Sequence, residues 1–287
     1  MSQITKIKNY VRPYIPRPIR QIVRGTRKGI VDFSLDTIDS WFGRCDEFTP
    51  PRRKTFVGFG DFKKTGDEFL RYFIELGDFK PHERVLDVGC GLGRMALALT
   101  KYLDARGGYE GFDIVPEGIV WCQEKIAAKY PHFHFQLFDV YNKMYNPQGK
   151  YQAAAHSFPY PDESFDFVFL TSVFTHMLPP DMQNYFAEIK RVLKRRGRCL
   201  ITFFLLNEES LQLVEAKESV EDLRYSFDGY RVNDDQTPES VVAYDEKMIR
   251  ELYAKHELQI KEPIYYGSWC GRKKFLSYQD LVISTRN

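Results

Sequence analysis

This chain of 287 residues lacks any apolar run long enough to cross a bilayer. The longest strand-like run, residues 199–206, is broken only by Thr202. No apolar stretch of signal-peptide length follows the first residues, so no secretory leader is expected. The five cysteines, Cys45, Cys90, Cys122, Cys199 and Cys270, form no C-x-x-C pair and no metal-ligand spacing. That excludes a disulfide framework and a zinc cluster, and leaves reduced thiols in a cytoplasmic protein. There is no internal repeat and no low-complexity tract. Residues 1–31 hold eight Lys and Arg and no acid at all. The whole chain is only +2, so everything after that arm is net negative, at −6.

What is present is ordinary in bulk and aromatic in detail. The chain is 43% hydrophobic and 28% charged, the balance of a soluble globular protein. Its 23 Phe and 18 Tyr suit a deep core and an aromatic-lined pocket. The basic arm mixes its charges with Tyr, Ile and Val. Pro13, Pro16 and Pro18 keep its first half extended, and Ile19, Ile22, Val23 and Ile30 mark a short amphipathic helix weakened by Gly25. Two readings stand: a peripheral contact with a membrane surface or acidic partner, or a solvated arm that packs on the domain.

Helical periodicity follows at Leu35, Ile38, Trp41 and Phe42 behind Ser34, then a loop over residues 43–64. Thr65 reads as the cap of a helix striped by Phe69, Leu70, Phe73 and Ile74 and stopped by Gly77. From residue 84 strands and helices alternate. Strands are expected at 84–88, 108–114, 133–138, 165–170, 198–206, 258–265 and 280–285. Helices are expected at 94–103, 117–128, 180–193 and 246–255. This order predicts an α/β fold, a doubly wound, seven-stranded and mainly parallel sheet with helices on both faces. The last two strands, with no helix between them, predict an antiparallel closing pair. Residues 139–164 and 207–243 are long insertions behind strands, where parallel sheets bind ligands. The expected division is a basic arm and lid segment at 1–64 and one domain at 65–287.

The most informative stretch is VLDVGCGLGR, residues 85–94. An apolar strand runs into Gly89, Gly91 and Gly93, which open a helix and let the backbone approach a ligand closely. A dinucleotide site needs G-x-G-x-x-G, and its third glycine would fall on Arg94. Asp87, two residues before the first glycine, would repel a pyrophosphate but suits an ammonium group.

The pattern [DE]-x-G-x-G-x-G after an apolar strand resembles the first motif of class I S-adenosylmethionine-dependent methyltransferases. Residues 108–113, a strand ending in an acid, resemble that family's second strand. FPYPDESFDFVFLTSVFTHM and EIKRVLKRRGRCLITFF resemble its fourth strand and its helix–turn–fifth strand, with Arg195 and Arg196 where the family has Pro-Gly. The resemblance spans residues from about 65 to 285. It implies S-adenosyl-L-methionine as cofactor, with Asp87 holding the methionine ammonium. Gly89, Gly91 and Gly93 would pass beneath the methionine and ribose, and Asp113 would accept from both ribose hydroxyls. Ile114 would pack on the adenine, and Asp139 would accept from its amino group.

The acceptor is less marked. No NPPY-type tetrad follows the fourth strand, which argues against adenine or an amide nitrogen. His176, just past that strand, is the candidate general base for a hydroxyl, with a structural histidine as the other reading. His156 is the reserve. Tyr141, Tyr145, Tyr225, Tyr230, Trp269 and Arg272 are candidate lining residues, and Phe59 and Asp61 candidate cofactor contacts. The expected activity is O-methylation of a small-molecule or glycan hydroxyl, with no nucleic acid and no metal. The alternatives are a protein or nucleic-acid methyltransferase anchored by the arm, a nicotinamide reductase, and a non-catalytic cofactor-binding module. The net negative body argues against a nucleic-acid track. Asp87 and Arg94 argue against nicotinamide.

Overall fold

The computed structural model describes residues 46–51 and 61–287. The arm and the helix expected behind Ser34 lie outside the described residues. Contacts divide the chain at Gly58/Phe59. Of the first unit, the described part is a turn in which the Asp46 carboxylate accepts from the N–H groups of Phe48 and Thr49.

The second unit opens with helix α1, Phe62–Glu75. It starts before Thr65, because Asp61 takes the cap: its carboxylate accepts from Lys63 N and Lys64 N at 3.1 and 3.0 Å. That carboxylate is therefore a helix cap. The proposed boundary at 64/65 falls inside this helix. Strands β1 (Arg84–Val88), β2 (Gly108–Asp113), β3 (Phe133–Leu137), β4 (Phe165–Leu170) and β5 (Leu193–Phe203) alternate with helices α2 (Arg94–Leu99), α3 (Pro116–Cys122) and α4 (Pro179–Val192). With β10 (Leu258–Ile260) and β11 (Asp280–Arg286) they form one sheet in the order β10-β11-β5-β4-β1-β2-β3. Pairings among β1 to β5 are parallel, while β11 runs antiparallel to both β5 and β10. The expected fold is the observed one. Order reverses at β1, between β4 and β2, so the crevice opens at the carboxyl ends of these central strands.

Core strands are near-continuously apolar because helices cover both faces. In β4, Phe165, Phe167, Val168, Phe169 and Leu170 are all fully buried. Phe73 of α1 stacks tilted on Phe167 and Phe169, with centroids at 5.5 and 4.4 Å. Helix α3 runs on into a π-helical turn, Gln123–Ala127.

The second insertion is more ordered than a covering loop. It contains helix α5 (Glu208–Glu215) and strands β7 (Tyr225–Phe227) and β8 (Tyr230–Val232). These strands join β6 (Leu205–Leu206) and β9 (Val242–Asp245) in a second sheet of order β6-β9-β8-β7. Sequence reading missed this sheet, since strands of two to four residues are too short to show a period. Helix α6 (Glu246–Lys255) follows, capped by Asp245 as its sequence indicates. Among the described residues, no helix is long and apolar enough to cross a membrane. Cys90, Cys122, Cys199 and Cys270 are free and buried.

Candidate active site

β1 delivers the chain into a loop whose three glycines all adopt left-handed backbone, with φ of 81°, 55° and 77° at Gly89, Gly91 and Gly93. A side chain at Gly93 would also place its Cβ 2.5 Å from Ile126 Cδ1. The loop is stitched to the end of β2. Gly89 N and Cys90 N both donate to Phe112 O, at 2.9 and 3.0 Å. Gly91 N donates to Asp113 Oδ2 at 2.7 Å, and Val115 N donates to Asp113 Oδ1 at 2.9 Å. Asp113 is thus fixed against the glycine loop as an oriented acceptor, and burial raises its pKa. Ile114 beside it is half-buried and packs on the main core.

Asp87 is strongly perturbed by its surroundings. It is 2% exposed, and only one of its oxygens is partnered: Tyr109 donates its hydroxyl to Oδ2 at 2.7 Å. Oδ1 is buried without a partner. Burial pushes the carboxyl up to about 8, against the Tyr109 hydrogen bond, and the nearby Asp113 charge adds to the rise. An orphaned buried carboxylate oxygen is what a cationic ligand group requires. Tyr109 was not foreseen, although Gly111 signals it. A Cβ at Gly111 would sit 2.7 Å from the Tyr109 hydroxyl oxygen, so the missing side chain clears the path to Asp87.

Asp139 is placed differently. Its carboxylate pairs with Lys150 Nζ at 3.0 Å, which lowers its pKa, and 29% of its side chain is exposed. No described contact brings it to Asp87, Asp113 or the glycine loop.

His176 ends a short 3-10 turn after β4. Its loop touches the glycine loop, because a Cβ at Gly89 would lie 2.5 Å from Val173 Cγ2. His176 Nδ1 lies 3.0 Å from Glu239 O, and Nε2 lies 3.4 Å from the Tyr145 hydroxyl. A carbonyl only accepts, so Nδ1 carries the proton and Nε2 the lone pair. Burial lowers the pKa of His176 below 6.5, and the Glu239 and Ser240 backbone oppose this. The imidazole is therefore neutral at pH 7. Asn142 Nδ2 donates to His176 O at 3.1 Å, and Lys143 Nζ donates to Gln236 O. Both insertions therefore converge on His176. Tyr145 is close enough to Asp113 for that charge, after burial, to raise its pKa.

Other candidates are placed elsewhere. His156 stacks flat on Tyr151, with centroids at 4.3 Å. Trp269 is fully buried and donates Nε1 to Asp280 Oδ2 at 2.8 Å. Arg272 is 5% exposed and pinned by Glu209, Asp280 and Asn207. Both hold the β11 end together instead of lining a site. Tyr141 and Tyr225 are exposed, and Tyr230 stacks on Phe227. Phe59 lies outside the described residues.

Residues 86–201 match the family model described as a methyltransferase domain. The chain is 27% identical over 207 residues to an uncharacterized methyltransferase, YcgJ, of Bacillus subtilis, covering 71% of each. It is 29% identical over 139 residues to phosphoethanolamine N-methyltransferase 2 of Caenorhabditis elegans, covering 48% of this chain and 28% of that one. The chain thus spans little more than a quarter of that longer relative. In structure it resembles the PH0226 protein of Pyrococcus horikoshii, with a TM-score of 0.55 and 17% identity over 82% of this chain and 95% of that one. That likeness concerns the fold. The reversal at β1, the left-handed glycine loop and the two buried acids, Asp87 and Asp113, lie together at the carboxyl ends of β1 and β2. With the family match over residues 86–201, the sheet order and the glycine loop make that segment a class I S-adenosylmethionine-dependent methyltransferase domain.

Proposed function

We propose that this chain methylates a hydroxyl of a small molecule or glycan, with His176 as the group that takes the hydroxyl proton. The observation that carries this reading is the orientation of His176. It is neutral, its Nδ1–H is committed to the Glu239 carbonyl, and its Nε2 lone pair faces the Tyr145 hydroxyl. S-adenosylmethionine, when bound, supplies an electrophilic methyl group on a sulfonium sulfur.

Asp87 holds and orients the ammonium end through its unpartnered oxygen. Asp113, tied to Gly91 and Val115, receives the ribose hydroxyls. Tyr145 stands where an acceptor hydroxyl would compete for Nε2. A proton arriving at Nε2 makes an imidazolium, whose Nδ1–H bond to Glu239 O strengthens as charge develops. Both insertions contact His176, through Asn142 and Tyr145 of the first and Glu239 of the second. A general base of this kind is worth about 10²–10⁴-fold in rate.

The test is transfer from labelled S-adenosylmethionine to a panel of alcohols, phenols, glycans and amines. His176→Ala should lower turnover on the true acceptor about 10²-fold and leave cofactor affinity within about threefold. Phosphoethanolamine belongs to the name of the C. elegans relative and is said of that protein. Transfer to amines and not to hydroxyls, undiminished by His176→Ala, would overturn the hydroxyl reading.

A further inference from the structure

The loop joining β10 to β11 carries an apolar tip beside two cations. Lys273, Lys274, Phe275 and Leu276 are four consecutive exposed residues. Phe275 is 58% exposed, Leu276 38% and Tyr278 41%. Val220, at 70%, lies in the segment whose N–H donates to Trp269 O at 3.0 Å. Neither Lys273 nor Lys274 makes an ion pair with a described residue. Of the neighbouring charges, Arg272 is engaged with Glu209 and Asp280, and Glu221 with the Tyr278 hydroxyl at 2.5 Å, while Glu218 is exposed beside Gly271.

This exposure is held by a fixed backbone. Ser268 N donates to Ser277 O at 3.1 Å and Trp269 N to Tyr278 O at 3.0 Å. Gly267 N donates to Asp280 Oδ1 at 2.6 Å, and the Tyr72 hydroxyl to Leu276 O at 2.8 Å. A tied loop that keeps Phe and Leu in water marks an interaction surface more than fraying does. Its place matters too. Asp280 pairs with Phe203, the last residue of β5, so the loop lies at the carboxyl edge of the sheet. Ser172 of the β4 loop donates its hydroxyl to Gln279 Oε1 at 3.1 Å.

We propose that this loop docks the chain onto an anionic lipid surface. Phe275 and Leu276 enter the interfacial layer, and Lys273 and Lys274 meet headgroup charge. The combination favours lipid because such a surface supplies an apolar layer and negative charge at one depth. Docking in this way turns the carboxyl edge, and the crevice it holds, toward the bilayer. The inference does not depend on which atom is methylated.

The test uses the full chain and vesicles of phosphatidylcholine, with and without phosphatidylglycerol. Phe275→Trp adds an emission at a known position, read as the difference from the unmodified chain. With anionic vesicles that emission should shift to the blue and be quenched by brominated acyl chains. Lys273→Glu with Lys274→Glu should weaken partition about fivefold or more for each lysine. Three results would each overturn the proposal. One is binding to anionic vesicles with the position-275 emission unmoved, which assigns binding to another surface. The second is no binding to any vesicle. The third is a concentration-dependent dimer that Phe275→Glu dissolves, which makes the patch a contact between copies.

Discussion

Asp87→Asn should make the ligand-free protein more stable and the cofactor complex weaker. In the unfolded chain Asp87 ionises near 3.8, whereas burial holds it up to about 8 in the fold. At pH 7 the folded state must keep a proton that the unfolded state has lost. Across 3.2 pH units, at 1.36 kcal/mol each, that costs at most about 4 kcal/mol. The sign follows: the ligand-free fold loses stability as pH rises from about 4 to 8, and Asp87→Asn flattens that slope. The amide still accepts from Tyr109 through its oxygen. Its NH2 takes the place of the unpartnered Oδ1, and an unsatisfied buried donor costs about 1–3 kcal/mol. The net gain is then about 1–3 kcal/mol, a rise in Tm of roughly 3–8 °C for a domain of this size. For the ligand, losing a charge-assisted hydrogen bond of about 1.5–3 kcal/mol weakens S-adenosylhomocysteine binding by about 10–150-fold. In the unmodified protein the same linkage requires about one proton to be released on binding near pH 7. Calorimetry in two buffers of different ionisation enthalpy measures it. A variant that melts lower, binds the ligand normally and shows no change in proton release refutes this reasoning.

Four further expectations follow from other residues. The rate should fall as pH drops through the lowered pKa of His176, below 6.5, because the charged imidazole cannot accept a proton; a profile flat down to pH 5 would make His176 structural. The fold's stability should likewise decline as pH falls through that window, since the unfolded chain takes up the proton first. Asp113→Asn keeps one acceptor for Gly91 N or Val115 N and loses the charge, so S-adenosylhomocysteine affinity should fall about tenfold in a titration with Tm lowered by only a few degrees. A chain begun near Asp32 should melt within a few degrees of the full chain, as scanning calorimetry would show; precipitation would place the arm in a core or interface.

The sheet was legible because each central strand is an apolar run followed by a turn and a helical period. The glycine loop was legible because three glycines two apart have few other uses. Asp87 and Asp113 were singled out through the motif resemblance, and β1 and β2 carry them to adjacent ends of one parallel pair, with Asp87 opposite Gly111. Tyr109 escaped because its role needs the register that sets it beside Asp87. The start of α1 was misplaced because Thr65 and Asp61 both suit a cap, and only the backbone shows which one has taken it. Trp269 and Arg272 resembled pocket residues in sequence. Their burial around Asp280, whose pKa burial raises to about 6, comes from contacts that tie the β11 start to Leu205 and, through Arg272, to Asn207 and Glu209 of the second insertion. The pairing of His176 with Glu239 spans 63 residues and two loops, which no local pattern encodes.

The most direct test of the assignment is a calorimetric titration of the purified chain with S-adenosylhomocysteine and, separately, with NAD. Saturable binding of S-adenosylhomocysteine at one site per chain, weakened by Asp113→Asn and absent for NAD, is the expected result. Saturable NAD binding with no heat from S-adenosylhomocysteine would contradict the account.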